Sequence, residues 1–174
     1  MKYTITLLLA FHFLFTNAQT AEQIKQVEDA KKMVKAMEGK AFPSYELTSI
    51  NGNKYNSEEL KGKVVLFNFW FTSCRPCVEE LPEINSIVDE FGRDNVVYIA
   101  PTFEDDAKVN KFIKRFEMAY DPIADVKGFV LSNNVRSFPT HFVINQEGIV
   151  TKVVNGYSVL TDNMLKKAVR KLLK

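Results

Sequence analysis

Apolar residues recur along this chain in two rhythms, and the rhythms alternate. Residues 63–70, KVVLFNFW, are apolar almost without a break and rich in β-branched and aromatic side chains, as expected of a central buried strand. NVVYIAP, residues 95–101, repeats the pattern. Between them Val78, Leu81, Ile84, Ile87, Val88 and Phe91 recur at helical spacing, which predicts one helix from Arg75 to Phe91. Residues 105–118, DDAKVNKFIKRFEM, predict another helix, with an acidic first turn that suits the helix dipole. A looser stretch, 119–135, leads to a strand at THFVIN, a turn at QEG and a strand at IVTKVVNG. From about Thr161 a closing amphipathic helix turns Met164, Leu165, Ala168, Val169 and Leu172 inward.

Upstream, AFPSYELTSINGNKYNSEEL (41–60) reads as a strand, a turn at Asn51-Gly52, a short strand and a turn capped by Ser57. Residues 21–38 place Ile24, Val27, Ala30, Lys31, Val34 and Met37 near one helical face, ended by Gly39. That stripe is thin, so residues 19–40 read either as an amphipathic helix or as a solvated tether. Strands alternating with helices, then a hairpin and a last helix, predict an α/β sandwich without internal repeats.

The first residues change the setting. Lys2 precedes an apolar run from about Ile5 to Phe15, and Thr16 and Ala18 occupy the minus-three and minus-one places of a cleavage site. Residues 1–18 thus have the shape of a secretory signal peptide, too short for a comfortable membrane span of about 20 residues. The competing reading is an uncleaved anchor. Cleavage predicts an exported, soluble, periplasmic chain. The net charge of +2 loses only Lys2 with the leader, and charges of both signs are interspersed. Such a surface gives no electrostatic footprint for nucleic acid and little attraction to a membrane surface.

Export places Cys74 and Cys77, the only two cysteines, where thiols tend to pair. A disulfide closing so small a loop adds little stability, so the pair is read as chemistry. Three residues is just under one helical turn, which lets the second sulfur lie beneath the first. At the predicted strand-to-helix junction, unpaired amides and the dipole favour a Cys74 thiolate. Arg75 adds a positive charge, and Pro76, lacking an amide donor, suits the first turn. Cys74 is therefore the nucleophile toward a partner's disulfide, and Cys77 resolves the mixed disulfide.

FNFWFTSCRPC and FPTHFVIN, with Trp70 four residues before Cys74 and Pro82 eight after it, resemble the thioredoxin fold. F-x-x-Y-x-L-x-x-x-x-G from Phe42 and LKGKVVLFNFW resemble its exported TlpA/ResA-like branch, over residues 41–174. The resemblance implies a central mixed β-sheet flanked by helices, with an N-terminal β-hairpin extension. It implies that Pro139 is cis and faces the dithiol, although from sequence it could be an ordinary strand-edge proline. It implies that the Phe138 backbone pairs with the substrate chain and that Trp70, Arg75, Pro76 and Thr140 complete the substrate surface. An acidic residue at the place of Glu80 tunes the pair in this branch. Asn68 stands where cytoplasmic thioredoxins carry a buried aspartate, so Glu80, on the face of Cys77, is a proton shuttle or else a solvated helix charge. Ser73 in place of a common tryptophan leaves a less aromatic rim. Of Phe67, Phe69, Trp70, Phe71, Phe138 and Phe142, most belong to the core, with Phe138 and Trp70 expected at the surface.

The leading reading is an exported thiol–disulfide oxidoreductase, acting as a reductant in cytochrome c maturation or general disulfide reduction. It needs no cofactor beyond the Cys74–Cys77 disulfide. Its partners are disulfide- or dithiol-containing exported proteins and a membrane dithiol donor, the donor being implied by the resemblance. His141 is read as a surface histidine, or as one facing the dithiol. The latter permits a copper chaperone using Cys74, Cys77 and His141, although the donor set is weak for a metal. A thiol peroxidase needs proline and threonine seven and three residues before its cysteine. For Cys74 both places, 67 and 71, are phenylalanine, and for Cys77 they hold Trp70 and Cys74.

Overall fold

A computed structural model describes residues 22 and 24–174; the expected signal peptide, residues 1–18, lies outside them. Helix α1 covers 24–35. The elements that follow are β1 (Glu46–Thr48), β2 (Lys54–Asn56), β3 (Val64–Phe69), α2 (Arg75–Glu79), α3 (Leu81–Phe91) and β4 (Val96–Pro101). After these come α4 (Asp106–Ile113), β5 (Asp121–Ile123), α5 (Lys127–Ser132), β6 (Thr140–Ile144), β7 (Val150–Asn155) and α6 (Thr161–Leu172). The main sheet runs β5-β4-β3-β6-β7. β3 is parallel to β4 and antiparallel to β6. β1 and β2 form the separate antiparallel hairpin.

β3 is central because all six of its residues can be buried. Its alternate side chains serve two cores. Val64 and Leu66 join Leu81, Ile84 and Ile87 of α3, Val109 of α4 and Leu165 and Val169 of α6. Val65, Phe67 and Phe69 join Leu47 of the hairpin, Val130 of α5 and Val34 of α1. The mixed sheet flanked by helices and the N-terminal hairpin therefore stand as the sequence predicts.

The predicted helix from Arg75 to Phe91 is two helices meeting at Glu80. Pro82 has no amide for the Val78 carbonyl, and its ring crowds that turn, so the chain breaks there. The predicted helix 105–118 is shorter, with Asp105 capping it through the Lys108 amide at 2.9 Å. The looser stretch contains both β5 and α5. Pro122 hides β5 from a sequence reading, and an edge strand is where a sheet tolerates it. Ser57 does not cap its turn: its hydroxyl accepts from the Tyr45 amide, while Asn56 accepts from Glu58.

α1 docks by its C-terminal half only. Ala30 and Val34 are buried and Met37 packs partly, whereas Ile24 and Val27 are exposed. Lys35 donates to the Val153 carbonyl, and Glu38 accepts from the Val153 amide at 2.7 Å. No helix among the described residues is long and apolar enough to cross a membrane.

Candidate active site

The site forms where β3 ends and α2 begins. β3 delivers Trp70 to the core, and a short loop carries Cys74 to the N-cap position of α2. Cys74 and Cys77 are disulfide-bonded. The Cys77 amide donates to Cys74 Sγ at 3.3 Å, so the amides of the first turn point at the sulfur that would carry thiolate charge. Cys77 is the more deeply buried of the two. Pro76 occupies the first turn. Arg75 is exposed but gives its Nε to Glu79 at 2.7 Å, so its charge is shared with that carboxylate rather than dedicated to Cys74.

Glu104, reached only through the fold, fixes the loop in front of Cys74. Its carboxylate accepts from both the Thr72 amide and the Thr72 hydroxyl. Sequence reasoning missed it because 32 residues separate the partners and neither belongs to the motif.

The Phe138–Pro139 bond is cis. The Pro139 carbonyl accepts from Gly156 at 2.8 Å, which ties this loop to the end of β7. None of the hydrogen bonds among the described residues uses the Phe138 main chain. The Phe138 ring packs edge-on against Phe71, centroids 5.2 Å apart, and against Phe103 at 5.7 Å. Phe71 and Phe103 close the triad at 5.4 Å. All three keep part of their surface exposed, and Phe71 and Phe103 are additions to the predicted rim.

Two predicted substrate contacts are corrected. Trp70 is buried, 1% exposed, with its indole N–H on the Ala100 carbonyl at 3.1 Å and its ring against Phe112. It supports the site from below and cannot touch a partner. Thr140 is also buried: its hydroxyl donates to Ser137 and accepts from Asn155, fastening the loop that carries Pro139.

The surface reading of His141 is corrected, and of the two readings of Glu80 the solvated charge is excluded. Neither is a solvated surface group: they are 0% and 1% exposed, and His141 Nε2 lies 3.2 Å from each carboxylate oxygen. They meet because β6 sets His141 opposite Asn68 of β3, on the same sheet face as Val143 and Leu66, which pack beneath α2 and α3. Among the described residues no cluster of three or more His, Cys, Asp or Glu side chains forms a candidate metal site, and His141 is committed to Glu80. This geometry does not favour the copper reading.

Comparison with known proteins agrees with the site. The AhpC/TSA family matches residues 38–153. The thioredoxin-like protein YneN of Bacillus subtilis (strain 168) is 34% identical over 128 residues, 71% of this chain and 75% of its own. The thiol-disulfide oxidoreductase ResA of the same organism is 35% identical over 130 residues, 74% of this chain and 72% of its own. A thiol:disulfide interchange protein of the thioredoxin family from Chlorobium tepidum TLS shares the fold, with a TM-score of 0.66 at 22% identity over 77% of this chain and 96% of that one. Given this likeness and a dithiol at the head of a helix, the chain belongs to the AhpC/TSA family and is a thiol–disulfide oxidoreductase of thioredoxin-like fold.

Proposed function

We propose that this oxidoreductase reduces disulfides in other exported proteins, with Cys74 as nucleophile and Cys77 as resolving thiol. The observation that carries the assignment is Cys74 Sγ at the N-cap of α2, receiving the Cys77 amide, with Cys77 buried behind it. In the dithiol form the Cys74 thiolate attacks one sulfur of the target, and the other sulfur leaves with the bonding electron pair. Cys77 then attacks Cys74 Sγ, the target leaves as a second thiolate, and the protein is left oxidised by two electrons. Glu80 is the group placed to accept the Cys77 proton, being three residues on along the same helical face. The half-exposed Phe138, with its unoccupied main chain, Arg75 and Pro76 form the surface on which the target chain lies beside cis-Pro139.

Residues 1–18 act as a cleaved leader in this reading, residues 19–40 as a lead-in that is helical over 24–35, and residues 41–174 as the catalytic domain in the periplasm. A reductant in an oxidising compartment must be recharged, and a membrane dithiol donor fits that need.

The test is trapping. Cys77→Ser in an exported-protein extract is expected to accumulate mixed disulfides on Cys74, and recovery of none would remove the reading. Equilibration of the wild type with thiol buffers is expected to give a potential near or below about −220 mV; a value near about −120 mV would instead mark an oxidant.

A further inference from the structure

We propose that His141 is a positioning residue for disulfide exchange, holding Glu80 so that the two act as one buried unit in taking the Cys77 proton. The inference rests on the reading of Cys77 as the resolving thiol.

An ionisable side chain in an apolar core is costly unless it is partnered. Cys77, Leu81, Ile84 and Val143 belong to one buried cluster on the sheet face where Glu80 and His141 meet. Packing alone would be served by apolar residues at both positions. Glu80 has no ion-pair partner but His141 among the described residues. A carboxylate accepts only, so Nε2 is the donor, and it makes its hydrogen bond to Oε2. Oε1 makes no hydrogen bond of good geometry. His141 thus fixes the carboxylate plane and leaves a lone pair of Oε1 open. Nδ1 of His141 and both polar atoms of Asn68, its cross-strand neighbour, likewise have no partner.

The other ionisable groups around the pair come from every element packed there. Glu79 and Glu83 lie on α2 and α3, and Glu83 is held by the Tyr157 hydroxyl at 3.1 Å. Tyr120, just before β5, is wholly buried; burial first, and then Tyr98 and Glu80, keep its hydroxyl protonated well above the ordinary range. Tyr157, after β7, is raised first by desolvation and then by its hydrogen bond to Glu83 and the charges of Glu83, Glu79 and Glu80. All of these are acids. Arg93 also acts on Tyr120, but it is exposed, with its guanidinium on the Ala119 carbonyl; among the described residues only the imidazole lies within ion-pair distance of Glu80.

In the resolving step the Cys77 S–H proton passes to Glu80. The Cys77–Cys74 sulfur bond forms, the Cys74–target bond breaks, and the target sulfur leaves with the electron pair. The proton gained by the pair is returned to Cys77 when a dithiol donor next reduces the disulfide, the donor being oxidised to its own disulfide.

The experiment measures resolution of a preformed mixed disulfide across pH in wild type, His141→Phe and His141→Gln. Without its donor the buried carboxylate is neutralised rather than left charged. The His141→Phe profile is therefore expected to move to higher pH by about one unit, about tenfold in rate on the rising limb. His141→Gln keeps an N–H donor and is expected to fall between the two. A His141→Phe profile that superimposes on wild type overturns the proposal.

If His141→Phe fails to fold, NMR decides. Full-length protein carrying His12→Gln leaves His141 as the only imidazole. Its titration curve is expected to differ between disulfide and dithiol forms, and Glu80→Gln to make the two curves coincide. Coinciding curves with Glu80 present refute the coupling. A wild type that exchanges no disulfides would instead refute the underlying functional reading.

Discussion

Replacing Trp70 by phenylalanine is expected to cost about 1–3 kcal/mol in urea unfolding while leaving KM for a protein disulfide unchanged. The change removes the indole N–H and strands the buried Ala100 carbonyl, yet it alters nothing a partner can reach. A tryptophan near a redox motif invites a surface role, and sequence has no means of telling which side of the loop it faces. The cysteines were legible for the opposite reason: their spacing and the strand-to-helix switch around them are local. The Glu80–His141 pair was not, since the partners lie 61 residues apart and only the β3–β6 register brings them together. Thr140 misled for the same reason as Trp70, because a polar residue beside a functional proline can serve the loop instead of the substrate.

At the level of elements, α1 shows how a weak stripe becomes a docked helix. Val34 supplies the anchor, and Glu38 finishes the contact by accepting from Val153 and Lys35. Burial works against the Glu38 charge, but the Lys35 hydrogen bond, the Val153 amide and the charges of Lys35 and Lys152 outweigh it and hold the carboxyl below its ordinary 4.5. A carboxyl lowered in the folded state stabilises above its unfolded value and loses that contribution as pH falls through the folded value. Hydrogen-exchange protection of residues 24–37 is thus expected to be full at neutral pH and to decline below about pH 4.5, and Glu38→Gln to flatten that decline. The strong periodicities gave β3, β4, β6, β7 and α6 directly. β5 and α5 escaped because a three-residue strand containing proline and a six-residue helix are too short to show a period. The division of the motif helix at Glu80 was written in Pro82, read in the sequence as part of the family pattern rather than as a helix break.

Across the whole molecule the sheet separates two tasks. One face carries the dithiol, Asn68, Glu80 and His141; the other is an aromatic and aliphatic core around Phe67, Phe69 and Phe142. Phe142→Ala on that second face is expected to lower stability by about 3–5 kcal/mol in chemical denaturation without moving the reduction potential. In the proposed function partner encounter is governed elsewhere, at the triad of Phe71, Phe103 and Phe138. Three chain segments each lend one ring to that rim, and Arg75, exposed at the head of α2, is matched by Glu79. The three rings make that rim largely apolar, so a partner is held there by fit of shape and apolar surface. Exchange rates should accordingly hold nearly constant from about 0.05 to 0.5 M salt, a range over which electrostatic steering would fade. Under that reading the enzyme works alike in dilute and briny surroundings.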